Sequence, residues 1–206
     1  MRRPKPAPKS ARKPSQERAV ATVEAILEAA ARILERDGLG RSFGTNRIAR
    51  EAGVSIGSLY EYFDGRDAIV SALCQRHVTR VKTLVDHAFV ELQHAPIETA
   101  VGLFVDALFA LHAHRPALQV TLHHEFPLRL GLQPFIDSDR YIEAKLVDWL
   151  AERDPAADLA TRAFVAIRAG RAVTIHAFAE GLPEERKARV RLAVKALLVG
   201  ALERLP

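Results

Sequence analysis

Cysteine is almost missing from this chain: Cys74 is the only one in 206 residues, which excludes an internal disulfide framework. Long apolar runs are missing too. The best stretch, residues 97–111, is interrupted by Glu98 and Asp106 and falls short of the ~18 residues that a bilayer crossing needs. No apolar segment follows the basic start, so a secretory signal is not expected, and from Pro96 onward no strand pattern is visible. Acids are absent from residues 1–16. These absences argue against a stapled secreted scaffold and a membrane-spanning protein, and they point to a reducing compartment, the cytoplasm, with no membrane partner.

The charge that is present is unevenly spread. The net charge is +5, whereas residues 1–16 alone carry +6 through Arg2, Arg3, Lys5, Lys9, Arg12 and Lys13, so the remaining 190 residues hold one more acid than base. The folded body is therefore not a polyanion-binding surface as a whole. With four prolines and few apolar groups, residues 1–15 are expected to be a disordered basic arm. Such an arm either stays solvated or adds phosphate and minor-groove contacts to a DNA-binding unit. The length suffices for one domain or two small ones.

Residues 45–63, TNRIAREAGVSIGSLYEYF, carry the chemistry. They read as helix, tight turn, helix. Thr45 stands where a cap is needed, Ile48, Ala49 and Ala52 share a face, and Gly53 can take positive φ at the turn. Ser55 can cap a second helix that buries Leu59 and Phe63 and exposes Ser55, Ile56, Gly57, Ser58, Tyr60 and Tyr62. A helix-turn-helix lays such a second helix in the DNA major groove. Thr45, Ser55, Ser58 and Tyr60 suit phosphates, and Arg47, Ile56, Gly57 and Tyr62 suit base edges. Arg41, in the preceding loop, is a further candidate for phosphate or for plain solvation.

The same segment, followed by DGRDAI, resembles the DNA-binding domain of the TetR/AcrR family of bacterial transcriptional regulators, down to the AGVS turn and the G-x-LY-x-F helix. Gly44 stands where the family pattern has a second threonine, and Arg66, which the resemblance implies touches phosphate, where it more often has lysine. The resemblance implies an all-α homodimer that binds a palindromic operator as a repressor and releases it when an unknown small-molecule effector occupies the C-terminal domain.

The rest of the chain divides into helices at its prolines and glycines. A first helix carries Val20, Val23, Ile26, Leu27, Ala30, Ile33 and Leu34 and ends at Gly38; another runs from Arg66 to about Gln93. Further helices are expected at 96–114, from Pro116 to before Pro127, and at 135–153, 158–180 and 184–204. The domain reading is residues 1–15 arm, 16–64 three-helix DNA-binding domain, and 65–206 helical ligand-binding and dimerisation domain. In the last, Phe104, Leu108, His123, Phe126, Trp149, Arg168 and His176 are the pocket candidates. Ala163, Ile167, Gly170, Thr174 and Phe178, with Val190, Val194, Leu197 and Ala201, form two stripes that either pair with a second subunit as a four-helix bundle or face their own core.

Other chemistries fit less well. Residues 53–57 spell G-x-S-x-G, yet a nucleophile elbow needs a strand before its serine, and IAREA is helical. His112 with His114, and His123 with His124, are not spaced as ligand pairs on one helix face, so no metal and no cofactor is expected. Cys74 is expected to be buried and inert. A regulator that activates, or that answers to a protein partner, is the remaining alternative, and its sign would be a C-terminal domain without a cavity. An enzyme would need a catalytic dyad.

Overall fold

The computed structural model describes residues 13–40, 42–153 and 158–204. Residues 1–12 of the basic arm and Arg41 lie outside them. The described residues form helices and no strand: α1 (Lys13–Asp37), α2 (Thr45–Ala52), α3 (Ile56–Tyr60), α4 (Arg66–Glu91), α5 (Ile97–His114), α6 (Pro116–Val120), a π-helical turn (Thr121–Glu125), α7 (Phe126–Leu130), α8 (Gln133–Ala151), α9 (Leu159–Ala179) and α10 (Glu184–Arg204). Residues 13–15, expected at the end of the arm, are the first turn of α1.

Two apolar cores organise these helices. The first joins Ile26, Ile33 and Leu34 of α1 to Phe43, Ile48, Leu59 and Leu73. It also takes in Leu118, Leu122, Phe126 and Phe135, so the segment after α5 packs into the N-terminal unit. The second core is built from α4, α5, α8, α9 and α10 around Val105, Ile142, Leu150, Ala163, Ile167 and Leu198. Gly170 lets α9 and α10 meet closely, since a Cβ there would stand 3.1 Å from Leu198 Cδ1.

Two boundaries differ from the sequence expectation. The helix from Pro116 does not stop before Pro127 but continues through the π-helical turn to Leu130, where Gly131 ends it at φ 91°. Proline 127 removes one donor from the helical ladder, and the ladder widens just before it. Helix α5 is 18 residues long and is the one described helix apolar and long enough, by length and composition, to cross a membrane. Its Asp106 is not an interruption: the carboxylate meets Lys195 at 2.7 Å on α10. The apolar composition of α5 is used against α10, α9 and the cavity described below.

Candidate nucleic-acid interface and internal cavity

Gly53 closes α2 at φ 70°, and its N–H donates to the Ala49 and Arg50 carbonyls, so the turn uses the freedom only glycine has there. Ser55 caps α3, its Oγ accepting from Ser58 N–H at 2.9 Å. This pair accounts for the G-x-S-x-G string as a turn and a cap. Thr45 does not cap α2. Gly44 holds the cap position without a side-chain bond, and the Thr45 hydroxyl is 3.1 Å from the Tyr60 hydroxyl, tying the start of α2 to the end of α3.

Behind this surface Ile48 and Leu59 are fully buried, while Ile56, Gly57, Tyr60 and Tyr62 are exposed. Arg47 is engaged by the Asp37 carboxylate at 2.5 Å, and Arg36 and Arg32 both bond Glu51. The sequence reading gave Arg47 to bases and missed Asp37 as its partner. The two are ten residues apart across a loop, a separation with no periodic signal. Arg66 opens α4 beside Asp67, with Nε at 3.5 Å from the carboxylate.

The second feature is a cavity of about 320 Å³ between α4, α5 and α8. Of the pocket candidates named from sequence, Phe104, Leu108 and His123 line it. Trp149 lines a smaller neighbouring space of about 60 Å³ that shares Phe104, Leu92 and Ile142 with the first. Phe126, Arg168 and His176 are not on its wall. Phe126 is buried in the first core, Arg168 is paired with Glu143 and Asp139, and His176 is exposed beside His124. Sequence reasoning missed His77, His112, Asp139 and Arg171, which line the wall at its polar end. Polar residues inside amphipathic helices read as surface, and only the three-dimensional convergence of α4, α5 and the π-helical turn reveals them.

The ring of His123 lies 5.0 Å from that of His77 and 5.4 Å from that of His112. Burial pulls His77 from its ordinary 6.5 down to about 4, with His112 and Arg80 adding to the effect. Burial lowers His112 as well, against the hydrogen bond to the Leu108 carbonyl. All three rings are thus held neutral. No group of three or more His, Cys, Asp or Glu among the described residues converges as metal ligands. Cys74, one turn before His77, is buried, and its thiol is pushed up to about 12 by burial, which leaves it unreactive at neutral pH.

The His77 shift has a pH consequence of definite sign. Between pH 6.5 and about 4 the unfolded chain takes up a proton that folded His77 refuses. Its contribution is therefore present above pH 6.5 and is lost as the pH falls, on the order of 2 kcal/mol by pH 5. Thermal unfolding at pH 7 and pH 5 is expected to show a smaller drop in Tm for His77→Gln than for the unaltered chain. Equal drops would contradict the assignment.

Glu28 and Glu35 of α1 connect the two features. Arg115 bonds the Glu28 carboxylate, and Glu35 accepts from the backbone N–H of Leu118 at 2.8 Å, capping the first turn of α6. Thus the segment that carries His123 into the cavity is fastened to the helix that packs on α2.

A helix-turn-helix with a small-residue exposed helix, joined to a larger helical bundle, is the architecture of a DNA-binding transcription regulator. The profile described as "Bacterial regulatory proteins, tetR family" matches residues 26–73, and that described as "Tetracyclin repressor-like, C-terminal domain" matches residues 96–202. The chain belongs to the TetR family of bacterial transcriptional regulators, a family and fold of regulators and not of enzymes. No curated protein matches it. Among solved structures it is similar to a TetR transcription regulator from Haloarcula marismortui, at 18% identity over 88% of this chain and 98% of that one, with a TM-score of 0.72. A TetR-family regulator from Streptomyces coelicolor gives 23% identity, 90% and 99% coverage and a TM-score of 0.62. The regulator FadR from Bacillus subtilis, solved with stearoyl-CoA, gives 16% identity, 89% and 99% coverage and a TM-score of 0.61.

Proposed function

We propose that this chain is a ligand-responsive repressor that binds a palindromic operator as a homodimer in the cytoplasm and is released by a small molecule. The observation that carries the reading is the cavity beside a segment hydrogen-bonded to α1: a ligand there acts on the α1 contacts that orient α2 and α3. A regulator that answers to a protein partner has no use for such a cavity. The complex of the Bacillus subtilis relative with stearoyl-CoA supports an effector inside this kind of fold. In domain terms, residues 16–64 read DNA and 65–206 bind ligand and partner, with α6, α7 and the start of α8 bridging the two.

On DNA, Thr45, Ser58, Tyr60 and Arg66 position on phosphates, while Ile56, Gly57 and Tyr62 face base edges. Ser55 serves first as the cap of α3, and its hydroxyl also meets the Ser58 hydroxyl at 2.9 Å, which leaves it a single free hydrogen-bonding position. Arg47 reaches a base when it leaves Asp37. Tyr60→Ala removes an exposed hydroxyl held by Thr45 and is expected to weaken operator binding about tenfold while lowering Tm by no more than about a few degrees and leaving the proposed dimer intact. Unchanged affinity in a fluorescence-anisotropy titration would remove Tyr60 from the interface.

The dimer face is proposed on the outward side of α9 and α10. The stripes picked from sequence are used mainly by the subunit itself: Ala163, Ile167, Gly170, Thr174, Phe178, Val194 and Ala201 are buried, and Val190 half-buried, within one chain. Leu197 alone among them is exposed, at 51%. With Val165, Val173 and the exposed alanines Ala172 and Ala196 it forms an apolar surface of small residues suited to a second copy.

A further inference from the structure

His112, 2% exposed, has one nitrogen satisfied and one bare. Its Nδ1 lies 2.8 Å from the Leu108 carbonyl oxygen, which can only accept, so Nδ1 carries the hydrogen and Nε2 is left as an acceptor. Nε2 has no hydrogen-bond partner in the protein, and neither nitrogen of His123 has one. The rings of His112 and His123, both on the cavity wall, therefore hold one unmet acceptor and one donor–acceptor pair. Only a group that brings its own hydrogen can satisfy Nε2 of His112. Carboxylates, esters and ketones have none to give.

Charge narrows the class further. The carboxylate at this end, Asp139, is met by Arg171 at 2.8 Å and Arg168 at 3.4 Å, and Arg168 also pairs with Glu143. Two acids and two bases balance in charge, so neither an anion nor a cation finds a net countercharge beside the histidines, although Arg171 Nε and Asp139 Oδ2 keep no hydrogen-bond partner of their own. Glu91, the other carboxylate on the wall, is exposed and lies about 20 Å from His77 along α4. Between these ends the wall is mainly apolar, through Val81, Val85, Leu92, Phe104, Leu108 and Ile142, with exposed His87 also on it.

We infer that the cavity takes an uncharged, elongated alcohol, aliphatic or aromatic, whose hydroxyl donates to His112 Nε2 and accepts from His123 while its apolar body lies between α4, α5 and α8. The inference rests on the reading of this cavity as the effector site.

The test compares decanol, decanoate and decylammonium, three probes of one chain length, in titrations at neutral pH. The readout is the fluorescence of Trp149, the only tryptophan, on the wall of the adjoining space. Decanol is expected to bind at least about tenfold more tightly than either charged probe. His112→Phe is expected to lose about tenfold in decanol affinity, and His112→Gln, which restores an acceptor, to recover part of it. If His112→Phe fails to fold, the ranking on the unaltered chain and the His112→Gln titration still decide. Tighter binding of decanoate or decylammonium, absence of decanol binding, or an unchanged His112→Phe affinity would overturn the inference. Operator binding is followed in parallel. Decanol that binds without weakening operator affinity upholds the ligand class and overturns the effector reading; decanoate that binds more tightly and releases the operator does the reverse.

Discussion

Val173→Asp combined with Leu197→Asp is expected to turn the proposed dimer into a folded monomer and to lower operator affinity at least a hundredfold. Both side chains are exposed in the single subunit, Val173 at 38% and Leu197 at 51%, and neither belongs to either core, so the substitutions create no cavity. In the proposed dimer they are taken from water, and two carboxylates facing their symmetry copies there are unpaired like charges. Loss of the partner converts two-site binding into one-site binding, which removes an effective-concentration gain of roughly 10²–10⁴. Sedimentation velocity and operator titration check the two halves separately. A double variant that still sediments as a dimer would move the interface elsewhere.

Leu59→Ala is expected to abolish operator binding by a different route. Leu59 has no exposed surface and sits at the centre of the first core with Ile48, Phe43 and Leu34. Truncation removes its buried atoms and leaves a void, at a cost of roughly 2–5 kcal/mol. That is a large share of a small domain's stability. The first core also includes Phe126 and Phe135, so the loss extends to the segment under the cavity. Chemical denaturation should show the midpoint falling far, whereas Tyr60→Ala shifts it only slightly. A Leu59→Ala protein of unaltered stability would contradict the packing described.

The helix-turn-helix was legible in sequence because its parts are local. A cap, a turn glycine and an i, i+4 apolar pair all fall inside one 19-residue stretch, residues 45–63. Only the cap on α2 was misassigned, since Thr45 turns to Tyr60, 15 residues away. The long helices were legible from their periodicity for the same reason. The outer face of α9 was not, because α9 is apolar on two sides: Ala163, Ile167 and Gly170 inside, Val165 and Val173 outside. Hydrophobicity alone cannot rank two such faces. The polar end of the cavity was hidden more completely. His77, His112 and His123 come from three helical segments, and Asp139 and Arg171 from two more. Cys74 read correctly as buried, since one thiol on an apolar face needs no partner.

The link from Glu35 to the Leu118 N–H is a helix cap supplied by a different helix, and with Arg115 on Glu28 it is one route from the proposed effector cavity to α1. A cap of this kind is worth about 1 kcal/mol, and a partly exposed ion pair no more. Each link can therefore change operator affinity by only about fivefold, and the two together by about 25-fold per subunit. A dimer that releases both half-sites multiplies two such factors, to several hundredfold. In the proposed dimeric repressor, strong derepression through these links would come from symmetry, and a single liganded subunit would leave the gene largely silent.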